Sequence, residues 1–213
     1  MKIALIGATG WIGCHVLREA CERGHEVTAV LRDSSRVESV GPAVGTAVAD
    51  VKDGGALQDA IEGKDAVVSA YRAPADQPQD LVVAARAVIA AARGAGVPRL
   101  VWVGSTATLK LPGTDTDLVD LPQFPADWKR SGFAHRDSLR LFRDEGDGLG
   151  WTYISVPRTI EDGERTGTYR LGGDEPLFDD EGQSRISTED FAVAIVDSLE
   201  RGDHAGQRIT VAY

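Results

Sequence analysis

The fold is decided near the start of the chain, by residues 2–33, KIALIGATGWIGCHVLREACERGHEVTAVLRD. This stretch holds an apolar run, then Gly7, Gly10 and Gly13, then an amphipathic run and a second apolar run. Gly7 allows a tight turn, Gly10 lets the backbone approach a pyrophosphate, and Gly13 lets the helix pack closely on the strand. The helix start adds free N–H groups and a partial positive charge. We therefore predict a βαβ unit that binds a dinucleotide.

The ends of the other strands should also surround this dinucleotide, because parallel strands bring their carboxyl ends to one edge of a sheet. Beside the glycine loop, Thr9 adds a hydroxyl donor, while Trp11 and Ile12 cover the pyrophosphate or pack beneath it. Further contacts are expected from Ser34, Arg36, Asp50, Val51, Ser69, Ala70, Tyr71 and Pro157. Among these, the Asp50 carboxylate should accept a hydrogen bond from the adenine amino group.

The residue that ends the second strand selects the coenzyme. A carboxylate there accepts hydrogen bonds from the ribose hydroxyls of NAD, whereas an arginine binds the 2′-phosphate of NADP. The sequence places Arg32 at this position, with Ser34 and Arg36 just beyond it. We therefore predict NADPH rather than NADH. Asp33 keeps the NADH alternative open, since its carboxylate could turn toward the ribose.

Apolar runs alternate with helical patterns along the whole chain, which predicts a doubly wound parallel α/β sheet of order 3-2-1-4-5-6. The predicted strands are residues 2–6, 25–31, 45–50, 65–70, 99–105, 151–156 and 207–213, and the predicted helices are 10–24, 55–63, 78–96, 127–145 and one beginning at Ser187. Asp190 lies three residues after Ser187, which is capping-box spacing. We expect a single NAD(P)-binding Rossmann domain over residues 1–213, with a small C-terminal substrate lobe made of insertions at 106–127 and 157–186.

Composition limits the possible functions of these 213 residues. The net charge of -10 disfavours general binding to nucleic acid. No apolar run approaches the length of a membrane span, and there is no convincing signal-peptide cleavage site, so we expect a cytoplasmic protein without a membrane partner. Cys14 and Cys21 are interpreted as packing residues of the first helix, and no His, Asp or Glu spacing suggests a metal. We expect a monomer or a homodimer.

Ten segments match, in order, one group of atypical short-chain dehydrogenase/reductases. These segments are IALIGATGWIG, VLRD, ADV, VVSAYR, VWVGSTATL, LPQFPADWK, AHRDSLRLFR, LGWTYISVP, GERTGTYRLG and GQSRISTEDFAVAIVDSLE. The chain therefore resembles the NAD(P)H-flavin reductases, which are related to biliverdin reductase B and to NmrA-like proteins. The resemblance implies a Rossmann domain and hydride transfer to flavin or a similar planar acceptor, with flavin as a substrate rather than a prosthetic group. In this chain Ser105, Thr106 and Thr108 would add hydroxyls beside the nicotinamide, which favours a smaller or more polar acceptor.

The catalytic pair of ordinary short-chain dehydrogenases is missing from the sequence. No tyrosine has a lysine four residues later, so proton donation to a carbonyl by that pair is not expected. A conjugated acceptor needs less help, because it delocalises the incoming charge and water can protonate it. His135, Ser105 and Lys129 are the candidate catalytic residues; His135 lies on the helix that carries the pair in ordinary relatives. Two alternatives stay open: a non-catalytic redox sensor and a redox-neutral biosynthetic enzyme.

Overall fold

The computed structural model describes residues 1–41 and 44–213, and it has the predicted alternation of strands and helices. The strands are β1 Lys2–Ile6, β2 Glu26–Leu31, β3 Gly45–Val48, β4 Ala66–Ser69, β5 Arg99–Val103, β6 Gly150–Ser155, β7 Thr159–Glu161, β8 Arg170–Gly172, β9 Arg185–Ser187 and β10 Gln207–Ala212. The helices are α1 Trp11–Glu22, α2 Gly54–Ile61, α3 Asp80–Gly94, α4 Ala126–Glu145 and α5 Thr188–Arg201. Short 3-10 helices span Ser34–Val40, Thr106–Thr108 and Leu118–Asp120.

The main sheet confirms the predicted doubly wound order. Among the described residues it runs β3-β2-β1-β4-β5-β6-β10-β8. The first seven strands in this spatial order pair in parallel. The last strand, β8, pairs with β10 in the antiparallel sense and forms one edge of the sheet. A separate parallel pair joins β7 to β9. The carboxyl ends of β1 to β6 therefore share one edge, which is where ligands bind in this fold.

Helices cover both faces of the sheet, because the strand residues are apolar on both sides. One core layer joins α2, α3 and α4 to strand residues such as Trp102, whose ring centroid lies 5.4 Å from that of Phe142. The other layer joins α1 and α5 to strand residues such as Val101, with Phe191 fully buried. Successive residues of β5 thus point into different layers, as strand geometry requires.

The predicted capping box at the start of α5 is half right. Ser187 Oγ accepts a hydrogen bond from the Asp190 backbone N at 3.0 Å, so Ser187 is the N-cap. The fully buried Asp190 carboxylate does not return this bond. It accepts instead from Thr166 Oγ1 at 2.6 Å, Gly167 N at 2.7 Å and Tyr213 Oη at 2.7 Å. Asp190 therefore fixes the segment before β8 and the end of the chain to α5.

The two insertions contact each other and the body of the domain. Lys110 N donates to Asp174 O at 2.7 Å, and Gly113 N donates to a Glu175 carboxylate oxygen at 2.9 Å. Beyond β7, the chain follows α1 and α5. There Arg165 donates two hydrogen bonds of 2.7 Å to the Glu19 carboxylate.

Both cysteines on α1 are exposed, so their interpretation as packing residues is wrong. The buried stripe of this helix contains Val16, Leu17 and Ala20 instead. Within the described residues, no helix combines the length and the apolar character needed to cross a membrane.

Candidate functional site

The glycine loop between β1 and α1 has the geometry of a phosphate cradle. Gly7 has φ +83°, a left-handed conformation, and its carbonyl accepts a hydrogen bond from Gly10 N at 2.9 Å. A Cβ on Gly13 would lie 1.9 Å from Gly7 O, so only glycine allows the helix to pack this close to the loop. A Cβ on Gly10 would meet Gly7 O at 3.2 Å and no other described atom within 4 Å beyond its chain neighbours. Gly10 thus leaves open space in front of the helix N-terminus.

This open space belongs to a cleft of about 510 Å³ at the carboxyl ends of β1 to β4. Nine of the residues predicted to contact the dinucleotide line it: Gly7, Thr9, Gly10, Arg32, Arg36, Asp50, Val51, Ala70 and Tyr71. The cleft does not include the other six. Gly13 lies in the first turn of α1, half-buried Ile12 packs on the core beneath it, and exposed Ser34 begins a 3-10 helix.

The remaining three predicted contacts lie away from this cleft. Trp11 is 48% exposed, and its indole Nε1 donates to Asp162 Oδ1 at 2.5 Å, so it joins α1 to the segment after β7. Ser69 is fully buried, and its Oγ has no hydrogen-bond partner among the described residues. Pro157 is buried just after β6.

One wall of the cleft carries two exposed arginine side chains. Arg32 and Arg36 are exposed, and neither forms an ion pair within residues 1–41 and 44–213. The neighbouring Asp33 is engaged: its Oδ1 accepts from Ser35 N at 3.0 Å and from Ser35 Oγ. These hydrogen bonds from Ser35 lower the pKa of Asp33. The wall therefore offers two guanidinium groups, while its carboxylate caps the following helix.

A second cavity of about 400 Å³ opens beside the same wall. It shares Ala8, Thr9 and Arg36 with the cleft, and its other lining residues are Cys14, Leu17, Ser35 and Ser39. Arg36 thus lies between the two spaces. Hydroxyl groups and a guanidinium at one junction are suitable ligands for a phosphate group.

The opposite part of the cleft joins the predicted Asp50 and Tyr71 to three polar residues that the sequence analysis missed, Lys52, Arg72 and Asp80. Asp50 Oδ1 accepts from Lys52 N at 2.9 Å, and Lys52 Nζ lies 2.8 Å from Asp80 Oδ2. The Asp80 carboxylate raises the pKa of Lys52. Burial raises the pKa of the half-buried Tyr71. Lys52 and Arg72 follow strand ends, so the rule used for Asp50 could have found them; no local signal points to Asp80.

The candidate catalytic residues lie outside the 510 Å³ cleft, beyond its β4 side. Half-buried Ser105 follows β5, and its Oγ accepts from Ala107 N at 3.2 Å. The Thr108 hydroxyl, expected beside the nicotinamide together with that of Ser105, is directed into the protein instead. The Thr108 side chain is buried, donates to Ser105 O at 2.8 Å and contacts Ser155 Oγ. Lys129, in the first turns of α4, is half-buried and forms no ion pair with the described residues.

His135 is joined to a buried tyrosine. Its Nδ1 lies 3.3 Å from Tyr153 Oη, which also donates to His135 O at 3.1 Å. Tyr153 packs against Gly104, where a Cβ would lie 2.0 Å from its ring. Burial lowers the pKa of His135 to about 4 and raises the pKa of Tyr153, so both are neutral near neutral pH. The Nε2 atom of His135 has no partner among the described residues.

Comparison with known proteins agrees with this geometry. Residues 7–201 match a protein-family model described as NAD(P)H-binding. A solved structure of a "putative exported protein" from Burkholderia pseudomallei is 40% identical, with full coverage of both chains and a TM-score of 0.89. A "putative NADH-flavin reductase" from Streptococcus pneumoniae TIGR4 is 33% identical over 100% of this chain and 99% of its own, with the same TM-score. A "putative epimerase" from Bacteroides thetaiotaomicron is 33% identical over 100% and 96%, also at 0.89.

Proposed function

The chain belongs to the NAD(P)H-binding family, and from this premise we propose that it is an NADPH-dependent reductase that passes hydride to a planar conjugated acceptor such as a flavin or a quinone. One observation carries the choice of coenzyme: Arg32 and Arg36 face the cleft and form no ion pair with any described residue, whereas Asp33 is held by Ser35. The likeness to a protein named as an NADH-flavin reductase supports the reaction class.

The adenosine half of NADPH fits this wall. Its 2′-phosphate carries charge that two guanidinium groups can bind at the mouth of the second cavity, where Arg36, Ser35 and Thr9 meet. Each charge-assisted hydrogen bond contributes about 1.5–3 kcal/mol. In NADH no group would neutralise these arginines, and the Asp33 carboxylate, whose Oδ1 is occupied by Ser35, has only Oδ2 left to accept from the ribose hydroxyls.

The pyrophosphate fits the glycine loop. The position that a Cβ on Gly10 would occupy is open, and the first N–H groups of α1 are directed to that space. When bound, the reduced nicotinamide supplies the hydride. Ser105 lies at the next strand end and has a hydroxyl proton to donate, because its Oγ only accepts from Ala107 N. We assign it to orienting the nicotinamide or the acceptor.

Reduction of the acceptor also requires a proton, and the missing tyrosine–lysine pair leaves His135 or water to supply it. A pKa of about 4 keeps His135 neutral at neutral pH, so the ring is a weak acid that can carry a proton on Nε2 only in one tautomer. That tautomer requires Tyr153 Oη to donate its single proton to Nδ1 rather than to His135 O. A flavin or quinone tolerates such a weak donor, since its reduced form delocalises the charge.

A redox-neutral reaction is the second candidate, because one equally similar structure is named as an epimerase. The two candidates predict different fates for the coenzyme. A reductase consumes NADPH in proportion to the acceptor reduced, whereas an epimerase or another redox-neutral enzyme leaves the coenzyme unchanged after each turnover.

The test is NADPH consumption, followed by absorbance, with FMN, FAD and a quinone as separate acceptors. Gly10→Ala serves as the matched control, since it obstructs the phosphate site with little change elsewhere. We expect acceptor-dependent consumption by the wild-type protein, faster with NADPH than with NADH, and its loss in the control. Stoichiometric coenzyme binding without consumption with any acceptor would refute the reductase and favour the non-catalytic sensor.

A further inference from the structure

The end of the cleft opposite Arg36 is a polar wall made by three elements. Asp50 and Lys52 follow β3, Tyr71 follows β4, and Asp80 begins α3. Lys52 is central to it: its backbone N donates to Asp50 Oδ1 at 2.9 Å, and its Nζ lies 2.8 Å from Asp80 Oδ2. We call Asp50, Lys52, Tyr71 and Asp80 the base wall.

The charges of the base wall suit a neutral group rather than a phosphate. Lys52 contributes one positive charge, and Asp50 and Asp80 contribute two negative charges at short distance. These three charges sum to a net negative charge, which favours an anion less than the two positive charges of Arg32 and Arg36 do. The Lys52 and Asp80 side chains are 38% and 20% exposed, so both remain reachable from the cleft.

The base wall also has spare hydrogen-bonding capacity in a defined pattern. An ammonium group has three donors, and Asp80 takes one from Lys52, which leaves two. Asp50 Oδ1 is engaged, whereas its Oδ2 has no partner among the described residues. An acceptor therefore lies beside a donor on the same short segment of chain.

This pattern complements adenine, whose exocyclic amino group donates while the adjacent ring nitrogen accepts. We propose that Lys52, held by Asp80, is a specificity-determining residue that reads the coenzyme base, donating to an adenine ring nitrogen while Asp50 accepts from the amino group. The proposal rests on the proposed binding of a dinucleotide in this cleft. The adenine ring nitrogen in question is N1, because at that edge hypoxanthine presents the reverse pattern, a carbonyl beside a ring N–H. Its carbonyl would therefore face the Asp50 carboxylate.

The experiment measures calorimetric dissociation constants for NADPH, for its hypoxanthine analogue and for NADH. It compares the wild type with Lys52→Met and Asp80→Asn. Lys64→Met is the matched control, because Lys64 bonds to Thr28 outside the cleft. Thermal melting of each variant confirms that it is folded before titration.

We expect the wild type to bind NADPH at least about ten-fold more tightly than the hypoxanthine analogue, because a mismatched base edge leaves the Lys52 donor and the Asp50 acceptor unpaired. Lys52→Met should reduce this ratio to about three-fold or less and leave the NADPH-to-NADH ratio unchanged. Asp80→Asn should give an intermediate ratio, since it removes only the group that holds Lys52. Lys64→Met should behave as the wild type.

Three results would overturn the proposal: no preference for adenine in the wild type, an unchanged base ratio in Lys52→Met, or a fall of only the NADPH-to-NADH ratio in that variant. The last result would make Lys52 a phosphate ligand. Failure of the proposed reductase activity is separate, because it appears as absence of turnover with the binding ratios intact. Absence of dinucleotide binding to the wild type would overturn both.

Discussion

Substitution of Gly13 by alanine is the sharpest test of the glycine loop. The added Cβ would lie 1.9 Å from Gly7 O and 2.7 Å from Gly7 C. Both are backbone atoms, so no side-chain rotation can relieve the overlap. The loop and α1 must separate, and overpacking of this kind costs about 1–3 kcal/mol, with this backbone clash at the upper end.

The size of the effect can be expressed as a melting temperature. For a chain of this length, 1 kcal/mol corresponds to about 2–4 °C, so Gly13→Ala should melt about 6–12 °C below the wild type. Gly10→Ala is the comparison variant. Gly10 has φ -83°, which alanine adopts freely, and its Cβ would meet only Gly7 O at 3.2 Å. It should lose less than about 1 kcal/mol, yet weaken NADPH binding by at least about ten-fold, because the Cβ projects into the phosphate space.

The assay combines thermal denaturation without coenzyme, followed by circular dichroism, with calorimetric titration of NADPH. The two variants should separate: Gly13→Ala mainly lowers stability, and Gly10→Ala mainly lowers affinity. If Gly13→Ala melts with the wild type, the close packing of loop and helix is not required. If Gly10→Ala binds NADPH as the wild type does, the space before α1 is not the phosphate site.

Three further predictions concern single side chains. Arg32→Ala should weaken NADPH binding by about 10- to 150-fold, the loss of one charge-assisted contact, and NADH binding much less; equal losses in fluorescence titrations would contradict the proposed selectivity. Hydrogen bonds from Arg165 lower the pKa of buried Glu19 below its ordinary 4.5, so its contribution to stability is complete above that pH and declines as pH falls through the lowered value. Glu19→Gln should therefore lower the free energy of unfolding by about 1–3 kcal/mol at neutral pH, and urea denaturation in acid should show this difference shrinking rather than constant. NADPH should slow maleimide labelling of Cys14, which lines the second cavity, but not that of Cys21; mass spectrometry showing equal protection would argue against a phosphate there.

The sequence predicted the parts of the site that are local in the chain. The prediction used three local signals: the spacing of the glycines, the residues at strand ends, and an arginine rather than an acid after β2. Each signal lies within a few residues, and nine of the predicted contacts line the cleft. Arg32 could be placed at the cleft from the sequence because it directly follows the last residue of one predicted strand. Lys52 could have been found in the same way, since it lies two residues beyond Asp50.

Long-range partners could not be predicted. Lys52 meets Asp80 across 28 positions, and Trp11 meets Asp162 across 151. The capping-box spacing predicted a local partner for Asp190, but half-buried Tyr213 and exposed Thr166 reach its buried carboxylate from distant segments. The prediction that the two cysteines of α1 are packing residues was wrong because both are exposed. The helical repeat shows which residues share a face of the helix, but it does not show which face the rest of the protein covers.

The sequence alone determined a doubly wound sheet with a glycine loop after its first strand, because glycine conformation and apolar periodicity are local properties of the chain. The tertiary structure decided which charges remain free in the cleft. Within residues 1–41 and 44–213 it left Arg32 and Arg36 without ion pairs, bound Asp33 to Ser35, and paired Lys52 with Asp80. Charge pairing depends on distance in space, and that distance is set only when strands and helices far apart in the chain have packed together.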